Sequence, residues 1–210
     1  MNYAAINAKL RAMGANLPVL PGREAIIQSA ANICRYIPGK LQKDYVMAMA
    51  ATQKGNINYY MAQWKRLNRL DRPNRTVLRG LMGAEIDLNN ILWMYRLKRY
   101  HRITGDGTFG YLIPIRYRLS RETTRRMADC ITPKALTDEI TNSPYSTDFK
   151  YLAASGAEAK SDALTPEEIL AEAIMRRYQT VARCYPNSLV PTLAYIKKLT
   201  AQPAAVNADN

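Results

Sequence analysis

The stretch Gly83-Ala84-Glu85-Ile86-Asp87-Leu88-Asn89-Asn90-Ile91-Leu92-Trp93-Met94-Tyr95-Arg96-Leu97-Lys98-Arg99-Tyr100 decides the fold. Its apolar residues, Ile86, Leu88, Ile91, Leu92, Trp93 and Met94, fall all round a helical wheel rather than on one side. A helix apolar all round is a buried helix. Two stripes organise its polar residues. Glu85, Asn89 and Arg96 share one stripe, and Asp87, Asn90 and Lys98 share another. Buried polar groups need hydrogen-bond partners inside the fold, so Asp87 and Asn90 are expected to fix how neighbouring elements register. Two carboxylates in the first turn suit the helix dipole. Towards Arg96–Arg102 the segment turns basic and heads for the surface.

The helical period extends outward in both directions. Upstream, Tyr3, Ile6, Leu10 and Met13 form one stripe, ended by Gly14, Pro18 and Pro21. Ile26, Ile27, Ala30, Ile33, Cys34 and Ile37 form a second, stopped by Pro38-Gly39. A weaker helix covers about Leu41 to Thr52. Ile57, Tyr60, Trp64, Leu67 and Leu70 predict a further buried face. Asp71 before Pro73 marks a stop and restart. A short helix over Pro73–Met82 is then expected to lead through Gly83 into the long one over Ala84–Tyr100. Gly80 and Gly83 each cost a helix about 1 kcal/mol relative to Ala, so a bend or the close approach of another helix is expected there.

Downstream, Thr104–Gly110 reads as a loop, and Pro114 argues against a central strand in Tyr111–Ile115. Ser120 is a cap for a helix to about Asp129, and Thr132-Pro133 starts another. Thr165-Pro166-Glu167-Glu168 is a capping box with Pro at the first helical position, and Leu164 with Ile169 is placed as a staple. The fold class is therefore all-α. The expected division is an N-terminal helical segment over 1–55, a core helical domain over 56–200 and a disordered tail over 201–210.

The formal charge is +13 over 210 residues. Fifteen Lys/Arg face five Asp/Glu between Trp64 and Met127, and the balance turns acidic after Ala128. Such a field favours an anionic partner. Arg99, Arg102, Arg116, Arg118, Arg121, Arg125 and Arg126 form the candidate partner surface. No apolar run reaches the roughly 18–20 residues of a membrane span, and the N-terminus has no signal-peptide pattern. Cys34, Cys130 and Cys184 fit neither a disulfide framework nor a metal site, and suit a reducing cytosol.

The sequence carries no catalytic motif of a recognised kind. There is no phosphate-binding loop of the G-x-x-x-x-G-K-[ST] type. Gly105–Gly110 matches G-x-G-x-x-G, but a helix precedes it where a dinucleotide site needs a strand. His101, the sole histidine, sits at a helix end among basic residues with no nucleophile in view. No catalytic centre, cofactor site or metal site is expected. Two rivals to a structural role remain open. One is a basic helical nucleic-acid-binding protein using Arg116–Arg126 with Tyr111 and Tyr117. The other is an enzyme using the Gly105–Gly110 loop.

Glu85, Ile86, Asp87, Asn90, Ile91, Arg96 and Lys98 resemble the E-I-D-x-x-N-I-x-x-x-x-R-x-K helix of the C/d subunits of V-type and A-type ATPases. Tyr3–Met13 resembles that family's opening helix, and Tyr111–Pro114 with Tyr117 and Leu119 resembles the stretch after its core helix. Ser143-Pro144-Tyr145 and Tyr185–Tyr195 are similar as well. Relative to the family the chain is expected to be a shortened member, with the terminal K-E-x-E-x-x-N helix missing. The resemblance implies an irregular helical bundle of repeated helical units without an active site. It also implies a peripheral place on the cytoplasmic side of the membrane, between the central stalk and the membrane rotor ring, in support of proton or sodium transport.

Overall fold

The computed structural model describes residues 3, 6, 8–10, 23–51, 57–149 and 165–201. Every regular element among them is helical, as the sequence predicts. In chain order these are α1 (Arg23–Cys34), α2 (Lys40–Ala51), α3 (Ile57–Leu67), α4 (Arg72–Arg96), a π-helical turn (Leu97–His101), α5 (Asp106–Phe109), α6 (Arg121–Asp129), α7 (Pro133–Thr141), α8 (Pro166–Cys184) and α9 (Val190–Ala201). The proposed staple at Leu164, most of the first helix and the tail beyond residue 201 lie outside the described residues.

The chain divides into two compact units, one of residues 1–79 with 175–210 and one of residues 80–174. These units cut across the segments 1–55 and 56–200 read from the sequence. In the first unit α1 packs on α2, α9 packs on both, and α3 packs on α2. Ile33, Tyr45, Val46, Leu67, Tyr178, Leu193 and Ile196 are buried there. The buried face of α3 is turned from the expected one: Tyr59, Tyr60, Gln63 and Leu67 are inside, while Trp64 is half-buried under the Arg79 guanidinium, 5.4 Å from the ring centroid. A cation over an indole keeps a partly wet Trp stable at the surface.

A polar network also closes this unit. The Asn74 amide nitrogen donates to the Tyr3 hydroxyl at 2.9 Å, and its oxygen accepts from the Leu189 N–H at 2.8 Å. Asp71, just before α4, accepts from the Asn74 side chain and from Gln42 at 2.7 Å. Burial pushes the Asp71 carboxyl up, but the bonds from Asn74 and Gln42 outweigh it and leave it below its ordinary value. That stability is present above the unfolded value near ~3.9 and is lost as pH falls through the folded one. Asn74→Ala orphans the buried Leu189 N–H and is expected to cost about 2–3 kcal/mol in urea unfolding. Asp71→Asn is expected to flatten the fall in stability below about pH 4. An acid limb as steep as the wild type's would show that Asp71 plays no such part.

In the second unit α5 packs on α6 and α6 on α7. Its core joins Leu88, Ile91, Leu92 and Met94 of α4 to Leu119, Met127, Leu136, Ile140, Tyr145, Phe149 and Ile169. Each fully buried Leu or Ile contributes about 1.5–3 kcal/mol, so this cluster outweighs the exposed ion pairs around it. The caps read from sequence are present. Ser120 Oγ accepts from Thr123 N–H at 3.0 Å, Thr132 Oγ1 from Ala135 N–H at 3.1 Å, and Thr165 N–H donates to Glu168 Oε2 at 2.7 Å.

Two expectations are corrected. The helix does not stop and restart at Gly83: α4 is one helix from Arg72 to Arg96. The two glycines serve a close approach, and the approaching group is the Tyr117 ring from a loop rather than a helix. Thr104–Gly110 is not all loop either, since Asp106–Phe109 makes one helical turn. Gly105 precedes it at φ 58°, ψ −138°, a conformation reserved for glycine.

Candidate functional site: a loop held on the core helix

Asp87 is buried at 1% exposure, and its backbone partners lie in the loop after α5. Oδ1 accepts from Tyr117 N–H at 3.2 Å, and Oδ2 accepts from Arg118 N–H at 2.7 Å and Leu119 N–H at 3.0 Å. The Tyr145 hydroxyl donates to the same Oδ2 at 2.8 Å. One turn on, Asn90 meets Ile113 as one peptide group meets another. Ile113 N–H donates to Oδ1 at 2.8 Å, and Nδ2 donates to the Ile113 carbonyl at 3.1 Å. The loop from Tyr111 to Ser120 belongs to no helix, so its buried amides need acceptors. Asp87 and Asn90 supply them.

The glycines upstream complete the seat. A Cβ on Gly83 would stand 2.4 Å from Tyr117 Cγ and 2.7 Å from its Cβ, so the ring lies flush on bare helix backbone. Glu85 is buried as well, and its carbonyl accepts from Asn89 Nδ2 at 2.7 Å.

Arg96 and Lys98 serve the far end of the helix. Arg96 pairs with Glu167 in the first turn of α8 at 2.5 Å and lies over the Trp93 ring. Lys98 belongs to the π-helical turn and is 3% exposed. Its Nζ donates to the Ala128 carbonyl at 2.8 Å, and that carbonyl also accepts from Gly105 N–H at 2.9 Å. Burial lowers the Lys98 pKa, while Cys130 and Asp129 oppose the change.

The arginines of the expected partner surface divide. Arg99 is exposed within the π-helical turn, and exposed Arg102 closes that turn in the left-handed conformation at φ 55°. Arg125 is spoken for by Asp106 at 3.2 Å and Asp129 at 3.4 Å, and Arg126 by Glu122 and Glu139. Arg118 covers the Tyr117 ring. Arg116 and Arg121 are exposed and stand next to one cavity. Tyr145 and Glu167, which complete the buried cluster and the ion pair, carry no local sign of either role. The Ser143-Pro144-Tyr145 turn was the nearest signal. Among the described residues no group of His, Cys, Asp and Glu could hold a metal, and no helix is long and apolar enough to cross a membrane.

A family model described as the ATP synthase (C/AC39) subunit matches residues 56–200, more than half of the chain and all of this site. The chain belongs to that family. A search of curated proteins found no match, and neither did a search of solved structures. The C/AC39 assignment covers α3 to α9 and so includes the Asp87 and Asn90 contacts with the loop. It makes the chain one of the subunits of an ATPase-type assembly, where a surface for other subunits has a use.

Proposed function

We propose that this C/AC39 chain is a non-catalytic connector in a rotary V-type or A-type ATPase. In this reading it seats the central stalk on the membrane rotor ring from the cytoplasmic side, peripheral to the bilayer, and so supports proton or sodium transport. The family match over residues 56–200 is the observation that carries the reading. Close-packed helical cores deform little under load, which suits a part that transfers torque. The basic arginines give the chain a surface for acidic subunits or anionic headgroups. The test is direct capture. The immobilised chain is expected to retain purified stalk and ring subunits of a rotary ATPase. Retention of neither sinks the proposal.

One observation favours a second reading. Arg99 lies over the exposed Tyr100 ring. Such a pair stacks on bases in single-stranded nucleic acid. That reading requires binding to a single-stranded oligonucleotide that weakens steeply with salt. No binding at low salt removes it.

A further inference from the structure

Two adjoining cavities lie beside the loop that Asp87 and Asn90 hold. One, of about 350 Å³, is walled by Leu112, Ile113, Pro114 and Leu119 over a floor of Asp87 and Asn90. The other, of about 370 Å³, is walled by Arg116, Arg121, Arg125 and Asp106. Phe109, Arg116 and Thr124 line both. The first is mainly apolar, since its two polar floor groups already bond the loop. The second carries three guanidinium groups and one carboxylate, and that carboxylate is paired with Arg125. Arg116 and Arg121 have no ion pair among the described residues.

Stability does not account for that pair of free cations. Arg121 is the first residue of α6, where the helix dipole opposes positive charge. Arg116 is exposed on a loop whose hold on the core comes from its neighbours' backbone. An apolar recess next to one whose cations outnumber its carboxylates among the described residues suits a ligand with an apolar group beside an acidic one. Recesses of this size admit side chains, whereas a bilayer presents a broad surface of headgroups.

We propose that the two cavities form a receptor for an acidic segment of a partner protein. The apolar cavity takes an aliphatic or aromatic side chain, and Arg116 and Arg121 take the carboxylate next to it. The proposal rests on the reading of the chain as a connector between subunits and names the place of one contact.

The test uses the full chain and a fluorescent acetylated hexapeptide in which leucine alternates with glutamate. Arg116→Ala combined with Arg121→Ala is expected to weaken binding about tenfold or more. Both residues are exposed, so the fold is expected to be kept, which circular dichroism checks. Arg66→Ala combined with Arg69→Ala, exposed cations of the other unit, is expected to change affinity by less than about twofold. A hexapeptide with glutamine for glutamate is expected not to bind. No binding of the acidic peptide overturns the proposal, as does equal binding of the glutamine peptide or equal loss in the control variant. So does arginine-dependent binding only to vesicles of phosphatidylcholine and phosphatidylserine in about a 4:1 ratio, which assigns the site to lipid. Capture of the chain by stalk and ring subunits without peptide binding removes the receptor and leaves the connector. Peptide binding that needs both arginines, without such capture, does the reverse.

Discussion

Asp87→Ala is expected to lower the unfolding free energy by about 4 kcal/mol or more, read from urea denaturation. The size follows from what the carboxylate holds. The Arg118 and Leu119 N–H groups and the Tyr145 hydroxyl share one of its oxygens, and Tyr117 N–H takes the other. Removing the acceptor strands several donors, of which Leu119 N–H and the Tyr145 hydroxyl are fully buried. Each orphaned donor costs about 1–3 kcal/mol. Part of the loop can recover by turning amides to water, which is why the expected total is below the sum. Tyr145→Phe removes a single donor to a charged acceptor and is expected to cost about 1.5–3 kcal/mol. Asp87→Asn keeps the shape but points an amide donor at other donors, so it falls between the two. A loss below about 1 kcal/mol for Asp87→Ala would mean that the loop is held by its apolar residues alone.

Two helical glycines, three residues apart, are expected to respond in opposite directions to the same substitution. In an open helix Gly→Ala gains about 1 kcal/mol. At Gly80 the added methyl would meet only the Tyr117 hydroxyl at 3.4 Å, an ordinary contact, so Gly80→Ala is expected to stabilise. At Gly83 it would meet Tyr117 Cγ at 2.4 Å with Cβ and Cδ2 at 2.7 Å. Turning the ring cannot relieve a clash with Cβ, and the Tyr117 N–H is tied to Asp87. Gly83→Ala is therefore expected to cost about 2 kcal/mol, in the range of overpacked cores, despite the better helix propensity. Adding Tyr117→Gly removes all three clashing atoms and is expected to recover most of the loss. Adding Tyr117→Ala leaves the Cβ and recovers less. Equal thermal shifts for Gly80→Ala and Gly83→Ala would contradict the close approach.

These residues also mark what the sequence could and could not tell. The caps at Ser120, Thr132 and Thr165 were legible because their partners lie three residues away. The burial of Asp87 and Asn90 was legible from the apolar residues on every side of the helix. Their partners were not, because a loop amide has no side-chain signature. Gly83 looked like a bend because helix propensity is a local rule, and the ring that explains it comes from beyond α5. Trp64 looked like core because it is large and apolar, yet Gln63 took the inner position and the indole a cation. The Asn74 network spans separations of 71 and 115 residues, which no periodicity reports. Of the expected arginine surface, sequence could supply the charge but not the pairing that sets Arg116 and Arg121 apart from Arg125 and Arg126.

The polar residues of the core helix act as fixed acceptors and donors for the loop from Tyr111 to Ser120. Amide hydrogen exchange tests it most directly. Ile113, Tyr117, Arg118 and Leu119 lie outside any helix, where exchange is ordinarily fast. Their amides are expected to exchange as slowly as those of α4 in the wild-type chain, and to lose that protection at Tyr117, Arg118 and Leu119 in Asp87→Asn. Fast exchange at all four in the wild type would contradict the claim.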